Sequence, residues 1–350
     1  MRSIICTKPG TLETVESPDP TPTPGHLIVR IRRVGICGTD LHAFKGVQPY
    51  FTYPRILGHE IAAEVVDTGG SHRFRSGDEI TIIPYRHCGA CHACRTGKTN
   101  CCMNLQVLGV HADGGMVQYL SIPEDMALAG SGLTPTAQAC VEPLAIGAHA
   151  LRQAQARSGD WLVLLGAGPI GIGIAALALR KNLSLIVLEP DEQRREFCST
   201  RLGVPHVLDP YSADTRTMIG ELTAGRFADI VMDATGNLKA LESMIGFLGH
   251  GGKMIMVGLQ KQPFSFDHPE FHRREATLMS SRNATREDFQ TVMEFLRTET
   301  AFADQYVTHD LDAAHADDGF KEILASAPAH ALHRSDDAGS TSIIKVHMLF

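Results

Sequence analysis

The sequence predicts an α/β protein in two parts: an antiparallel, barrel-like β domain and a doubly wound parallel sheet. Three observations carry that expectation. The chain has 350 residues, more than one compact core ordinarily serves. Up to about residue 125 it consists of short apolar runs between Pro- and Gly-rich punctuation, the pattern of short strands joined by loops. From about residue 139 to about 280, compact apolar runs alternate with Ala- and Leu-rich stretches, the strand–helix–strand rhythm of a parallel sheet.

The elements follow in order. Pro18 to Gly25, with four prolines, is a rigid turn segment, and His26–Val34 reads as a strand. Ile61–Val66 and Glu79–Pro84 are further strands. Ala139–Ala156 is Ala- and Leu-rich and predicts a helix. Trp161–Leu165 is a buried strand, followed by a glycine turn, a helix over Ile172–Arg180 and a second strand, Leu185–Glu189. Asp229–Asp233 and Lys253–Val257 are later strands of the same sheet. Ala325–Ser342, rich in Ala, Ser, His and Asp, reads as loop, and Ile343–Phe350 as a returning strand.

Composition narrows the classes. Hydrophobic content of 43% and charged content of 20% suit an ordinary globular protein. With 32 basic against 39 acidic residues and a net charge of −7, a dominant nucleic-acid surface is not expected. No apolar run approaches the roughly 20 residues of a membrane span, and the N-terminus lacks a signal-peptide pattern. The expectation is a cytoplasmic enzyme with small-molecule partners, no nucleic acid and no membrane. Nine cysteines are present. Cys88, Cys91, Cys94 and Cys102 fall within fifteen residues, a spacing that suits a tetrahedral four-thiolate zinc site rather than a disulfide framework. Four thiolates fill the coordination sphere, so this zinc would be structural. His87 and His92, among the cysteines, are expected to be exposed.

Gly166, Gly168 and Gly171 form Gly-x-Gly-x-x-Gly directly between a strand and a helix. The first glycine makes the turn, the second lets backbone approach a pyrophosphate, and the third lets helix and strand pack. The helix N-terminus that follows this turn, in which Pro169 and Ile170 also stand, presents free N–H groups to phosphate. Glu189 stands 18 residues beyond Gly171, near the position that binds ribose hydroxyls, and a carboxylate there favours NAD over NADP. Arg194 and Arg195 follow; an Arg here can pair with a 2′-phosphate, or lie against the adenine. Thr235 in Asp233–Gly236 and Gly258 in Val257–Leu259 lie at later strand ends, where ligands bind.

A second constellation precedes these. Cys37, His59 and a carboxylate can bind a catalytic zinc with an open position; Glu60 follows His59 directly and Glu142 lies in Val141-Glu142-Pro143-Leu144. Thr39 and His42 are residue types that move protons. Taken with Gly35-Ile36-Cys37-Gly38-Thr39-Asp40, Gly58-His59-Glu60, the four-cysteine lobe and the Gly166–Gly171 turn, the whole chain resembles the zinc-dependent medium-chain dehydrogenases, in their polyol and sugar-acid branch. Ala63 stands where that family commonly has Gly.

The resemblance implies a GroES-like catalytic domain over residues 1–150 and 285–350, with a zinc lobe at 86–103. A Rossmann NAD-binding domain would be inserted over 151–284, with NAD and substrate in the cleft between. It implies two zinc ions per chain. Cys37 and His59 would be ligands of the catalytic zinc, Glu60 a ligand or close neighbour, and Glu142 a ligand directly or through water. The substrate proton would pass through Thr39, a cofactor ribose hydroxyl and His42. A homodimer or homotetramer is expected.

For the substrate, the stretches His42–Phe51, Arg86–Cys102, Gly109–Gly115, Asp267–His272 and Ser281–Thr285 resemble the bacterial L-galactonate, L-gulonate and L-idonate 5-dehydrogenases, which oxidise a hexonate with NAD. Arg282, then Lys45, are the candidate cations for a substrate carboxylate, and Arg282 could instead contact the cofactor. A neutral polyol dehydrogenase acting on sorbitol, xylitol, galactitol or butanediol is the alternative. Threonine dehydrogenase is more distant, and a non-catalytic NAD- and zinc-binding protein is a third class.

Overall fold

In the computed structural model, which describes residues 1–49, 51–325, 332–334 and 343–350, the strand His26–Gly35 buries Leu27, Val29 and Ile31 and, past a register shift between Ile31 and Arg33, Val34. Arg30 and Arg32 point the other way and meet Glu64 at 2.8 and 2.6 Å. This period-two division makes the strand the spine of an eight-stranded sheet. It pairs antiparallel with Glu60–Asp67, Tyr119–Pro123 and Val346–Leu349. The sheet continues through Glu79–Ile82 to Ala127–Ala129, and in the other direction through His309–Asp312 to Leu332–Arg334. The pairing is antiparallel except between His309–Asp312 and Val346–Leu349. A three-stranded sheet, Thr11–Glu16, Arg2–Lys8 and Arg55–Ile56, completes this GroES-like part. Its core gathers Leu27, Ile31, Ile61, Ile80, Met116 and Met348.

The chain divides by its contacts into two units, Met1–Pro143 with Thr285–Phe350, and Leu144–Ala284. The second unit is a six-stranded parallel sheet. Its strand order is His206–Leu208, Ser184–Leu188, Trp161–Leu165, Ala228–Asp233, Leu248–Met256, Thr277–Ser280. Numbered along the chain this order is 3-2-1-4-5-6, the doubly wound arrangement of dinucleotide-binding sheets. Val163, Leu165, Ile186, Leu188 and Val231 form its core. Trp161 begins the first strand, donates its backbone N–H to Asp229 Oδ2 at 2.8 Å, and carries its ring 6.2 Å from that of His206.

Several expected boundaries shift. The helix expected over Ala139–Ala156 runs Pro135–Gln153, stopped where Gln155 takes a left-handed φ of 56°. The next begins at Pro169 rather than Ile172, because proline suits the first helical position and Gly168 serves as its N-cap. Ala325 closes the helix Ala316–Ala325, and Leu332–Arg334 pairs with His309–Asp312. The loop expected over Ala325–Ser342 is therefore corrected at both places, since an available sheet edge outweighs local composition. Its remaining stretches, 326–331 and 335–342, lie outside the described residues. Among the described residues no helix is long and apolar enough to cross a membrane.

Candidate metal centres and dinucleotide turn

Cys37 ends the loop after the spine strand and is the N-cap of the helix Gly38–Phe44. A capping box fixes it: the Cys37 side chain faces the N–H of Asp40, and the Cys37 N–H donates to Asp40 Oδ2 at 2.9 Å. Asp40 is buried, and its other oxygen accepts the Gly58 N–H at 3.1 Å. The same oxygen stands 3.8 Å from His59 Nδ1, too far for a hydrogen bond but placing a carboxylate behind the ring. One turret of backbone thus orients both Cys37 and the segment carrying His59.

Glu60 opens the strand Glu60–Asp67 and pairs with Gly35 across the sheet. A Cβ at residue 35 would stand 1.9 Å from Glu60 Oε2, so only glycine leaves room for this carboxylate. Behind it lies Lys345, buried and ion-paired with Glu60 Oε2, which also donates to Ile36 O at 3.0 Å. Burial works against the ammonium charge of Lys345, but Glu60 and Cys37 raise its pKa on balance.

Cys37, His59 and Glu60 offer donor atoms within 4.8 Å of one another. Glu60 Oε1 is buried without a hydrogen-bond partner. Buried polar atoms left unpaired are costly, and a thiol, an imidazole and a carboxylate converging with unused donors fit a zinc ion. Glu142, from the helix Pro135–Gln153, is not in this group of three. It is buried, and Tyr85 donates its hydroxyl to Glu142 Oε1. Burial pushes the Glu142 carboxyl up to about 7, against the opposing influence of His59. Thr39 is half-buried and His42 exposed on the helix that Cys37 caps. At i and i+3 they are neighbours on its surface. Lys45, just past this helix, is exposed.

Cys88, Cys91, Cys94 and Cys102 form the second group within 4.8 Å. Backbone N–H groups point at the sulfurs, from Cys91 to Cys88 at 3.4 Å, and from Cys88 and Asn104 to Cys102 at 3.3 Å. Such bonds lower the Cys91 thiol to about 6, while burial and neighbouring thiols push Cys94 up to about 12. Four sulfurs packed this closely resist full ionisation without a cation among them, and the set fits zinc. His87, His92 and Cys101 are exposed and outside the group.

In the parallel-sheet unit, Gly166 has φ 95° and Gly171 leaves only 2.0 Å between a would-be Cβ and Gly166 O. Around Gly168 nothing lies within 4 Å of that position, leaving open backbone before the helix that starts with Pro169 and Ile170. Glu189 is buried at the end of the second strand. Its Oε2 accepts the Ala167 N–H at 2.6 Å and its Oε1 the Asp191 N–H at 3.0 Å. This carboxylate therefore holds the glycine turn itself, a contact the sequence pattern does not announce. Arg195 donates to Glu189 O and Pro190 O at 2.9 and 2.6 Å, while Arg194 is half-buried in the short helix Glu192–Glu196.

Thr235 is exposed just past the fourth strand, its hydroxyl donating to Asp233 Oδ1 at 2.5 Å. Gly258 follows the fifth, its N–H donating to Asp233 O at 3.0 Å. Both lie at the carboxyl ends of strands, where ligands of such sheets bind. Arg282, after the sixth strand, is exposed.

Three contributors went unnamed by the sequence pattern: Asp40, Lys345 and Tyr85. Asp40 is detectable, standing three residues after Cys37 at the capping-box position. Lys345 shows as a lone charge within the apolar run Ile343–Val346. Tyr85 leaves no such signal.

Two family models match the chain: the alcohol dehydrogenase GroES-like domain over residues 23–131 and the zinc-binding dehydrogenase domain over residues 169–298. The chain is 42% identical over 310 residues to the L-galactonate-5-dehydrogenase of Escherichia coli (strain K12), covering 88% of this chain and 91% of that one. It is 31% identical over 289 residues to the 2-dehydro-3-deoxy-L-galactonate 5-dehydrogenase of Pseudoalteromonas atlantica, covering 82% and 84%. Among solved structures, the rspB alcohol dehydrogenase of Escherichia coli CFT073, complexed with NADH, superposes with a TM-score of 0.89 at 26% identity, covering 100% of this chain and 99% of that one.

Proposed function

The chain belongs to the zinc-dependent medium-chain dehydrogenases, in their polyol and sugar-acid branch, and we propose that it oxidises the C5 hydroxyl of an L-hexonate, such as L-galactonate, L-gulonate or L-idonate, with NAD. The group of Cys37, His59 and Glu60, in which Cys37 caps a helix that carries Thr39 and His42, supports the chemistry. The 42% identity to an L-galactonate-5-dehydrogenase supports the substrate class.

Cys37, His59 and Glu60 hold the catalytic zinc, with Glu142 beside them, and Cys88, Cys91, Cys94 and Cys102 hold a structural one. Zinc supplies a Lewis acid that acidifies a hydroxyl, and NAD supplies the hydride acceptor. Thr39 would take up the hydroxyl proton while giving its own onward, and His42, exposed one turn along the same helix, would release a proton to solvent, a cofactor ribose hydroxyl lying between the two in the relay when NAD is bound. Asp40 keeps the His59 ring in place, and Lys345 offsets the buried charge of Glu60.

On the cofactor side, Gly166, Gly168 and Gly171 make room for the pyrophosphate at the helix start formed by Pro169 and Ile170. Glu189 accepts hydrogen bonds from ribose hydroxyls and repels a 2′-phosphate. Arg195 has its Nη1 engaged by two carbonyls, and Arg194 lies towards the adenine. Thr235 and Gly258 serve the nicotinamide side. Arg282 and Lys45 are the cations proposed for the substrate carboxylate, Arg282 also as a cofactor contact.

The test is a panel of hexonates and neutral polyols with NAD or NADP, read by absorbance of the reduced nicotinamide. Turnover of hexonates with NAD is expected. Turnover of neutral polyols alone would replace the hexonate reading with the polyol one. Silence on every alcohol, with both metals bound, would leave a binding protein.

A further inference from the structure

A catalytic zinc needs a coordination position that the protein does not fill, and four protein donors would close a tetrahedral site. This centre has four candidate donors: Cys37, His59, Glu60 and Glu142. The structure separates them. The first three converge within 4.8 Å, whereas the Glu142 carboxylate accepts the Tyr85 hydroxyl. Glu142 belongs to the same folded unit as these three and, like His59 and Glu60, is buried.

Tyr85 is held from several sides. Its backbone is in the short strand Tyr85–Arg86, paired with Gln106–Val107. Its ring is 6% exposed and packs edge-on against Phe289, with centroids 6.0 Å apart at 80°. A buried phenol fixed in this way cannot turn to water, so its hydroxyl requires an acceptor inside the protein. The bond holds Oε1 on Tyr85, and a shift of the carboxylate toward the metal would have to lengthen or break it.

We propose that Tyr85 is a positioning residue, a latch that holds Glu142 off the metal and keeps the fourth position open for the substrate hydroxyl. The proposal rests on Cys37, His59 and Glu60 being the catalytic metal site. In Tyr85→Phe the carboxylate is released, joins the three donors and competes with substrate. The expected kinetic signature is a KM raised roughly tenfold, with kcat changed much less.

The decisive measurement uses cobalt(II)-loaded enzyme, with azide as the probe of the open position. The thiolate-to-cobalt band lost in Cys37→Ser identifies the catalytic centre. Its absence from the wild-type protein would remove the metal site itself, and with it the latch. With the centre identified, azide should perturb the wild-type spectrum, and Tyr85→Phe should need roughly tenfold more azide for the same change. The double variant Tyr85→Phe with Glu142→Gln should regain the wild-type azide response. Equal azide affinity in wild type and Tyr85→Phe would overturn the latch. Glu142→Gln alone, whose amide oxygen can still accept from Tyr85, gives an independent reading should the phenylalanine variant not fold. Its azide-free spectrum should match wild type, and a changed spectrum would show Glu142 already bound to the metal.

Discussion

Lys345→Met tests the buried ion pair behind the Cys37, His59 and Glu60 group. Lys345 is 2% exposed and Glu60 is fully buried, and the ammonium is shared between Glu60 Oε2 and Ile36 O. Methionine preserves much of the stem and removes the charge, so the variant isolates electrostatics from packing. Taking away one partner of a buried pair costs about 3–5 kcal/mol, because the other charge is left without compensation. Among the described residues Lys345 is the one ion-pair partner of Glu60, so in metal-free protein the full cost applies. At about 2–4 °C per kcal/mol for a folded unit of this size, the melting midpoint should fall by roughly 6–20 °C. In zinc-loaded protein the metal replaces the lost cation, and the fall should be markedly smaller. Thermal melts of chelated and zinc-loaded protein measure both. Adding Glu60→Gln should recover much of the loss, giving a coupling energy in the double-mutant cycle. A chelated Lys345→Met protein that melts with the wild type, or a cycle without coupling, would refute the argument.

Other expectations follow from neighbouring geometry. Glu189→Ala removes a charged acceptor from the glycine turn and from the proposed ribose site, and NAD should bind roughly 10- to 100-fold more weakly by titration; an unchanged preference for NAD over NADP would take Glu189 out of the site. Cys91→Ser should lower the zinc content by one ion per chain while the Cys37 charge-transfer band persists in cobalt-loaded protein; loss of both metals would show the centres to be interdependent. Gly35→Ala puts a methyl where Glu60 Oε2 now lies, and zinc analysis should show the catalytic ion lost or bound at least tenfold more weakly, a factor worth about 1.4 kcal/mol. Full zinc occupancy in that variant would contradict the close approach.

The parallel-sheet unit was legible in the sequence because its central strands are apolar on both faces. Trp161–Leu165 was expected with the bounds it has, and Asp229–Asp233 differs from the strand Ala228–Asp233 only at its start. The two edge strands, His206–Leu208 and Thr277–Ser280, are short and mostly half-buried. They lack an apolar run, and only the neighbouring strand specifies them. Leu248–Met256 begins five residues before the expected Lys253, because Gly249, Gly251 and Gly252 read as loop although the strand runs through them. At the candidate site the same division holds. Residue type and the resemblance drew attention to Cys37, His59 and Glu60, and spacing to the four-cysteine lobe. Lys345 reaches Ile36 from 309 positions away, and Tyr85 reaches Glu142 from 57. No local pattern announces contacts that only the closed sheet creates.

The solitary tryptophan has an optical consequence. Trp161 sits at the start of the first strand of the parallel sheet, and the glycine turn lies at that strand's other end. Five residues of strand put roughly 17 Å between them. Indole emission therefore originates wholly in the nucleotide unit, within reach of energy transfer to a reduced nicotinamide bound there. Quenching on addition of NADH would follow cofactor binding without turnover. The same signal during unfolding would follow that unit alone, leaving the zinc-bearing part to be watched through its cobalt bands.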